Sequence, residues 1–188
     1  GIHGMKYVMA TLTEFGYDDV AYRLLEQESY PSWLYSVKQG ATTIWERWDG
    51  YTEERGFQRA GMNSFNHYAL GAVGEWMYGN IGGIQADPAR PGFQRFIVRP
   101  RLGGTLTHAS CSYRSLYGEI VSEWRRSGGT FEWKLTIPAN TSAKVCVPVA
   151  ASAAVLESGM PIAGAEGVVS LGYDGTAQVY EFASGRYV

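Results

Sequence analysis

Apolar residues recur every three to four positions through much of the first 80 residues, a spacing typical of amphipathic helices. The predicted helices cover residues 4–15, 18–30, 31–38 and 63–78. The first ends at the stop residue Gly16, and its apolar face comprises Met5, Val8, Leu12 and Phe15. The second must end before Pro31, because a residue that precedes proline is disfavoured in the helical region. Pro31 then suits the first turn of the third helix.

The last of these helices starts at Asn63 or Ser64, since either side chain can cap free backbone N–H groups. It follows a segment without a regular period, residues 41–62, which contains Asp49-Gly50, Arg55-Gly56 and Gly61. Glycine next to a charged residue is typical of turns, so this segment is predicted to be an irregular loop.

After Gly79 the period of the pattern falls from about four to two. Phe131, Trp133, Leu135 and Ile137 alternate with polar residues, and so do Ile120, Ser122 and Trp124. Ser127-Gly128-Gly129-Thr130 between these two runs predicts a hairpin turn. Further strands are predicted near residues 94–99, 106–114, 142–149, 153–157, 167–171 and 177–183. About eight strands with close turns predict an antiparallel β-sandwich.

The chain is therefore predicted to be an α+β protein with two parts. A helical part covers residues 1–80 and a β domain covers residues 94–188. The Gly- and Pro-rich residues 81–93 between them are predicted to be a linker.

Composition and charge exclude several classes of function. The net charge is −2, with 16 basic and 18 acidic residues and no basic tract, so no field gathers nucleic acid. No apolar run reaches the ~18 residues of a membrane helix, and the N-terminus lacks the layout of a signal peptide. The two cysteines, Cys111 and Cys146, fall on separate predicted strands, and free thiols are favoured over a disulfide.

The strongest chemical signal lies at residues 40–50, where Glu46 stands between Trp45 and Trp48. Sugars present apolar C–H faces and polar rims, and glycoside hydrolysis uses carboxylates as acid and base. An adjacent cation such as Arg47 would keep the Glu46 carboxylate ionised. Two interpretations stand on these residues alone, a sugar site and a pair of core tryptophans flanking an ion-paired glutamate.

The wider sequence favours the first interpretation, because residues 1–150 resemble the C-terminal part of the bacterial α-L-rhamnosidases of glycoside hydrolase family 78. The segments that carry the resemblance are Tyr30–Trp33, 40–50, Met62–Ala69, Gly74–Tyr78, Pro91–Phe93, Ser112–Tyr113, Tyr117–Gly118 and Ile137–Thr141. The Trp-Glu-Arg-Trp and Asn-Ser-Phe-Asn-His-Tyr motifs, about twenty residues apart, are the specific ones. The resemblance implies the last helices of an incomplete (α/α)6 barrel followed by a C-terminal β-sandwich.

The same resemblance implies roles for four residues. Glu46 would be the general base of an inverting glycosidase, and His67 would hydrogen-bond L-rhamnose from the first turn of its helix. Trp45 and Trp48 would form an apolar wall for the C6 methyl group of rhamnose. The general acid of the family lies before the first residue of this chain, so the chain alone is expected to be inactive.

The expected partner is a rhamnose-containing glycoside or oligosaccharide, and a homo-oligomer could form through the exposed barrel helices. The resemblance suggests a bacterial cytoplasmic or periplasmic location. No cofactor or metal is expected, because the sequence has no zinc ligand spacing, calcium loop or dinucleotide fingerprint. Two alternatives remain at this point: a non-catalytic carbohydrate-binding or structural β-module, and an (α/α)-barrel glycosidase that acts on another sugar.

Overall fold

The computed structural model describes residues 2–188, with side chains from Gly4 onward. These residues form two compact units, which divide between Trp76 and Met77. We call them the helical unit and the β unit.

The helical unit contains five helices and a short hairpin. Its elements are α1 (Ile2–Glu14), α2 (Asp18–Glu26), α3 (Trp33–Lys38), β1 (Tyr51–Thr52), β2 (Gly56–Phe57), α4 (Tyr68–Gly71) and α5 (Val73–Trp76). Helix α1 packs against α2, α4 and α5. Residues 41–50 and 58–67 are irregular, so the loop predicted over residues 41–62 is present, contains two strands of two residues and extends to residue 67.

The core of the helical unit differs from the predicted apolar face of α1. Met9 and Thr13, one turn apart, are buried, whereas Phe15 lies beyond the helix end with 71% of its surface exposed. Thr13 can occupy the core because its hydroxyl accepts a hydrogen bond of 2.8 Å from the indole N–H of Trp76. The Trp76 ring also meets Tyr22 edge to face at 5.4 Å. The buried face of α1 therefore includes Thr13, a hydrogen-bonded polar residue that the apolar pattern did not predict.

Two other predictions for this unit are wrong in detail. Helix α3 begins after Ser32, whose hydroxyl caps it by accepting from the Tyr35 N–H, so Pro31 lies outside the helix. The predicted helix over residues 63–78 begins only at Tyr68, and its N-cap is His67, not Asn63 or Ser64. Residues 63–67 stay extended or turned because their backbone and side-chain groups bond the loop that precedes them.

The β unit opens with a π-helical turn (Met77–Ile81) and contains eleven strands among its described residues. They are β3 (Ile84–Ala86), β4 (Arg95–Val98), β5 (His108–Ser115), β6 (Gly118–Ser127), β7 (Thr130–Ile137), β8 (Ser142–Val147), β9 (Leu156–Glu157), β10 (Met160–Pro161), β11 (Val168–Tyr173), β12 (Gln178–Phe182) and β13 (Gly185–Tyr187). One sheet has the order β11-β12-β8-β4-β3 and the other β13-β7-β6-β5, while β9 and β10 form a separate hairpin.

These sheets form the predicted β-sandwich, with alternate side chains directed into the core. Ile120, Ser122 and Trp124 of β6 are buried, and their neighbours along the strand are exposed or half-buried, as the period of two predicts. The hairpin turn is confirmed, since β6 ends at Ser127, β7 begins at Thr130, and both intervening glycines have positive φ.

Three features of the β unit depart from the prediction. Strand β4 pairs in parallel with β8, so the sandwich is not wholly antiparallel. Strand β3 lies within the predicted linker, residues 81–93, and pairs with β4, because Ile81 and Ile84 are buried apolar residues that a linker would expose. The predicted strand at residues 153–157 shrinks to two residues.

The two cysteines are free, as predicted: Cys146 is buried and Cys111 is half-buried. Burial raises the pKa of both thiols. No helix among residues 2–188 has the length and apolar character that crossing a membrane requires.

Candidate active site

Two irregular segments of the helical unit, residues 43–46 and 64–67, lie side by side and bring the two specific motifs together. The Glu46 N–H donates to the Ser64 carbonyl at 2.8 Å, and the His67 N–H donates to the Ile44 carbonyl at 2.8 Å. The Thr43 hydroxyl adds a hydrogen bond to the Phe65 carbonyl. These bonds fix the backbone that carries Glu46 next to the backbone that carries His67.

Glu46 is a buried carboxylate with unequal oxygens. Only 8% of its surface is exposed, and its Oε2 accepts the Ser64 N–H at 2.8 Å. No group of the described backbone or of the side chains from Gly4 onward donates a hydrogen bond to Oε1. A carboxylate held through one oxygen can use the other to accept a proton from water.

The cation beside Glu46 has a different partner from the one expected. Arg47 binds Asp49 through two hydrogen bonds of 2.9 Å, Nε to Oδ1 and Nη2 to Oδ2. This hydrogen bonding lowers the pKa of Asp49 and raises the pKa of Arg47. Arg47 is therefore an ion-pair partner of Asp49 and only a neighbouring charge for Glu46.

His67 occupies the N-cap of α4 and not its first turn, with extended backbone angles of φ −137° and ψ 134°. Its Nδ1 accepts the Ala69 N–H at 3.2 Å, which leaves Nε2 for a ligand. The half-buried imidazole stacks on the Tyr68 ring at 5.1 Å between centroids. The cap thus fixes the direction of the ring, a feature that a helix-interior histidine would not have.

The two tryptophans that flank Glu46 differ in accessibility. Trp45 is 7% exposed and is enclosed edge to face by Tyr51 and Phe65. Trp48 is half-buried and meets Trp33 edge to face at 5.3 Å. Trp48 therefore has more accessible ring surface than Trp45, which packs against Tyr51 and Phe65.

A cavity of about 280 Å³ lies against both tryptophans. Its lining includes Trp33, Thr43, Ile44, Trp45, Trp48 and Leu70. Glu46 and His67 do not line it. The cavity is thus on the aromatic side of the segment, and the structure does not bring the four predicted site residues around one common void.

The sequence patterns missed the role of Asn63, which they offer, together with Ser64, as one of two candidate helix caps. Its side chain is buried, and its Nδ2 donates to the carbonyls of Gly50 at 3.1 Å and Gln58 at 3.4 Å. An asparagine can serve as a helix cap or a loop clamp, so its residue type did not separate the two roles.

No group of three or more His, Cys, Asp or Glu side chains in the described part of the chain is arranged to hold a metal ion. The candidate groups for chemistry at this site are one buried carboxylate, one oriented imidazole and aromatic surface, which are expected of a glycosidase subsite.

Comparison with known families supports that class in both units. Residues 1–81 match the bacterial α-L-rhamnosidase six-hairpin glycosidase domain, and residues 83–159 match the bacterial α-L-rhamnosidase C-terminal domain. The chain thus belongs to the bacterial α-L-rhamnosidase family. The match of residues 1–81 to a glycosidase domain confirms the predicted barrel helices, and it disfavours a non-catalytic module.

Curated relatives agree with this assignment. An α-L-rhamnosidase of Streptomyces avermitilis is 47% identical over 148 residues, which cover 79% of this chain and 14% of that protein. An α-L-rhamnosidase of Formosa agariphila is 43% identical over 148 residues, 79% of this chain and 16% of that protein. The chain therefore spans only about a seventh of the length of these relatives.

Solved structures extend the similarity to the whole fold. The crystal structure of Streptomyces avermitilis α-L-rhamnosidase complexed with L-rhamnose matches 100% of this chain and 17% of its own chain, with a TM-score of 0.88 and 40% identity. The α-L-rhamnosidase structure from Dictyoglumus thermophilum matches 100% of this chain and 20% of its own, with a TM-score of 0.84 and 32% identity.

Proposed function

We propose that this chain is the C-terminal part of an inverting α-L-rhamnosidase, which releases terminal L-rhamnose from glycosides. The observation that carries the proposal is Glu46, a buried carboxylate that is anchored through Oε2 and has no donor at Oε1 among the groups that the structure describes. Its place in a segment that matches α-L-rhamnosidases supports the proposed substrate class.

In the proposed mechanism, Oε1 of Glu46 accepts a proton from a water molecule as that water attacks the anomeric carbon. The bond between the anomeric carbon and the leaving oxygen breaks on the opposite face of the sugar, which inverts the configuration. A general acid outside residues 1–188 gives its proton to the leaving oxygen. The Ser64 N–H holds the carboxylate in the direction that this proton transfer needs.

The remaining site residues bind the sugar in this proposal. His67 presents Nε2 to a rhamnose hydroxyl, because its Nδ1 is engaged by the Ala69 N–H. Trp48 offers apolar surface to the C6 methyl group. Trp45 contributes to the wall mainly by excluding water from Glu46, since it is nearly covered by Tyr51 and Phe65.

The substitution Glu46→Gln in the full-length enzyme tests the proposal. It keeps the shape and the acceptor for the Ser64 N–H but removes the base, so kcat on an aryl α-L-rhamnoside should fall by about 10²–10⁴-fold. Rhamnose affinity, measured by calorimetry, should survive, since the lost interaction belongs to the transition state.

Glu53→Gln is the matched control, because Glu53 is an exposed acid of the neighbouring hairpin. Its kcat should stay within about twofold of the parent enzyme. His67→Ala should weaken rhamnose binding as well as slow turnover. A near-normal kcat for Glu46→Gln would show that Glu46 is a structural residue and not the base.

A further inference from the structure

Asn63 closes the loop that follows Glu46. Its Nδ2 donates to the carbonyls of Gly50 and Gln58, and the Gln58 N–H donates to the same Gly50 carbonyl at 3.0 Å. Residues 50 and 58 are the two ends of the segment that contains the β1–β2 hairpin. One buried amide therefore joins both ends of this hairpin to the segment that includes Ser64.

The Asn63 side chain is held in this position at an energetic cost. It is 8% exposed, and its Oδ1 is buried without a hydrogen-bond partner among the described residues. A buried acceptor without a partner costs about 1–3 kcal/mol, so its retention calls for an explanation. Rotating the amide would bring oxygen against the two carbonyls that Nδ2 now bonds, which is worse.

The absence of a side chain at Gly50 leaves room for the Asn63 amide. A Cβ atom at position 50 would lie 2.8 Å from the Asn63 Oδ1 and 3.5 Å from the Phe65 ring. Since the φ of Gly50 does not lie in the left-handed region, the backbone does not require glycine there. Close approach to Asn63 is therefore the reason for glycine at this position.

The residue after Asn63 makes the contact to the catalytic carboxylate. The Ser64 N–H donates to Glu46 Oε2, and the Ser64 carbonyl accepts the Glu46 N–H. Any displacement of the backbone at Asn63 moves this donor, because the two groups belong to adjacent residues. A displacement of about 1 Å at a reacting group can lower a rate by 10²-fold.

We infer that Asn63 is a positioning residue, which holds the Ser64 N–H against Glu46 by clamping residues 50 and 58. This inference rests on the proposed function of Glu46 as the base. Asn63 itself does not touch substrate in this scheme, since its side chain is enclosed by the loop.

The test uses Asn63→Ala in the full-length enzyme, assayed on an aryl α-L-rhamnoside. We expect kcat to fall by about 10–100-fold while KM changes by less than about threefold, since the sugar contacts of His67 and Trp48 remain. The matched control is Gln39→Ala, which deletes an amide whose exposed hydrogen bond joins Glu53 of the same hairpin. Its kcat and KM should stay within about twofold of the parent enzyme.

A double-mutant cycle with Glu46→Gln separates positioning from a general loss of structure. If Asn63 acts through Glu46, adding Asn63→Ala to Glu46→Gln should lower kcat by less than about threefold further. If Asn63→Ala lowers kcat as much in the Glu46→Gln background as in the parent enzyme, the inference is overturned and the proposed role of Glu46 is unaffected. If Glu46→Gln alone kept normal kcat, the proposed function would be the part that fails.

Gly50→Ala gives a second test in which Asn63 is retained. The added methyl group presses on Oδ1, so kcat should fall with KM preserved, in the same direction as for Asn63→Ala. If Asn63→Ala does not fold, Gly50→Ala carries the test, and a normal kcat there overturns the inference. Loss of the fold in both variants would make Asn63 a folding residue only and would also overturn it.

Discussion

The two units of this chain bury apolar surface to different extents. In the β unit, 18 apolar residues are buried and 11 large apolar residues are exposed. In the described part of the helical unit, eight apolar residues are buried and ten large apolar residues are exposed. The β unit places apolar side chains between two sheets and can cover them itself. The described part of the helical unit has more exposed large apolar residues than buried apolar ones, which is expected of helices that need further partners.

The distribution of buried polar residues reverses this comparison. Thr13, Ser32, Glu46, Thr52 and Asn63 are buried in the helical unit, against Ser122 and Thr141 in the larger β unit. Buried polar groups cost stability unless they are bonded, so they concentrate where chemistry requires them. The helical unit, which leaves more of its apolar residues exposed, therefore carries the candidate site, whereas the interior of the β unit is almost entirely apolar.

The largest expected effect concerns activity. The purified 188-residue chain should show no measurable hydrolysis of an aryl α-L-rhamnoside, although it contains the proposed base. If the general acid lies outside residues 1–188, as proposed, the rate should fall by at least 10²–10⁴-fold relative to the full-length enzyme. Release of the aryl group, followed by absorbance, measures this, and robust turnover by the chain would contradict the proposed division of acid and base.

The second prediction concerns stability and compares the same residue type in the two units. Phe96→Ala in β4 should cost about 3–5 kcal/mol, because its side chain is 0% exposed. Phe57→Ala in β2 should change stability by less than about 0.5 kcal/mol, because its side chain is 74% exposed. Urea unfolding measures both, and equal costs would mean that Phe57 is covered in solution.

The third prediction concerns association through the exposed apolar residues of the helical unit. The chain should form a dimer or larger oligomer. Changing both Tyr7 and Phe15 to serine should raise the dissociation constant of that oligomer by about tenfold or more. Leu116→Ser is the matched control, since Leu116 is a 95% exposed residue of the β unit. Sedimentation velocity checks this, and a monomeric parent chain would rule out association through the helices.

The smallest expected effect concerns pH and the β unit. Asp174 binds Arg99 at 2.7 Å and accepts the N–H groups of Thr176 and Ala177. Although partial burial acts in the opposite direction, these bonds hold the pKa of Asp174 well below its ordinary value. A depressed carboxyl pKa adds stability above the unfolded pKa of about 3.9, and that stability is lost as the pH falls through the folded pKa.

Asp174→Asn should therefore lower the unfolding free energy by about 1–2 kcal/mol at pH 7. The difference from the parent chain should narrow as the pH is lowered from 5 towards 2. Thermal unfolding at a series of pH values measures this. A difference that stays constant over that range would mean that the Asp174 charge contributes nothing to stability.

The sequence predicted the β unit more accurately than the helical unit, for a physical reason. Period-two alternation in β6 and β7 reports directly which side chains face the core, and Gly128-Gly129 specifies the turn. Parallel pairing of β4 with β8 could not be predicted, because it joins segments far apart in the chain and depends on the whole sandwich.

In the candidate site, residue types and the family resemblance pointed to Glu46 and His67 as candidates, but they did not predict the geometry of these two residues. Helical periodicity extended the predicted helix through residues 63–67, where hydrogen bonds to the preceding loop override local preference. The roles of Asn63 as a clamp and His67 as a cap depend on these tertiary contacts. Likewise, Arg47 forms its ion pair with Asp49, two residues further along the chain, and not with the adjacent Glu46.

The parallel pairing of β4 with β8 also has a consequence for the order of folding. Strands β5, β6 and β7 lie between these partners in the chain and form a meander of local contacts in the other sheet. Hairpins close within microseconds, whereas joining β4 to β8 requires a long loop to close first. We therefore expect the meander to form early and to shorten the effective loop, so that the five-stranded sheet completes the unit late.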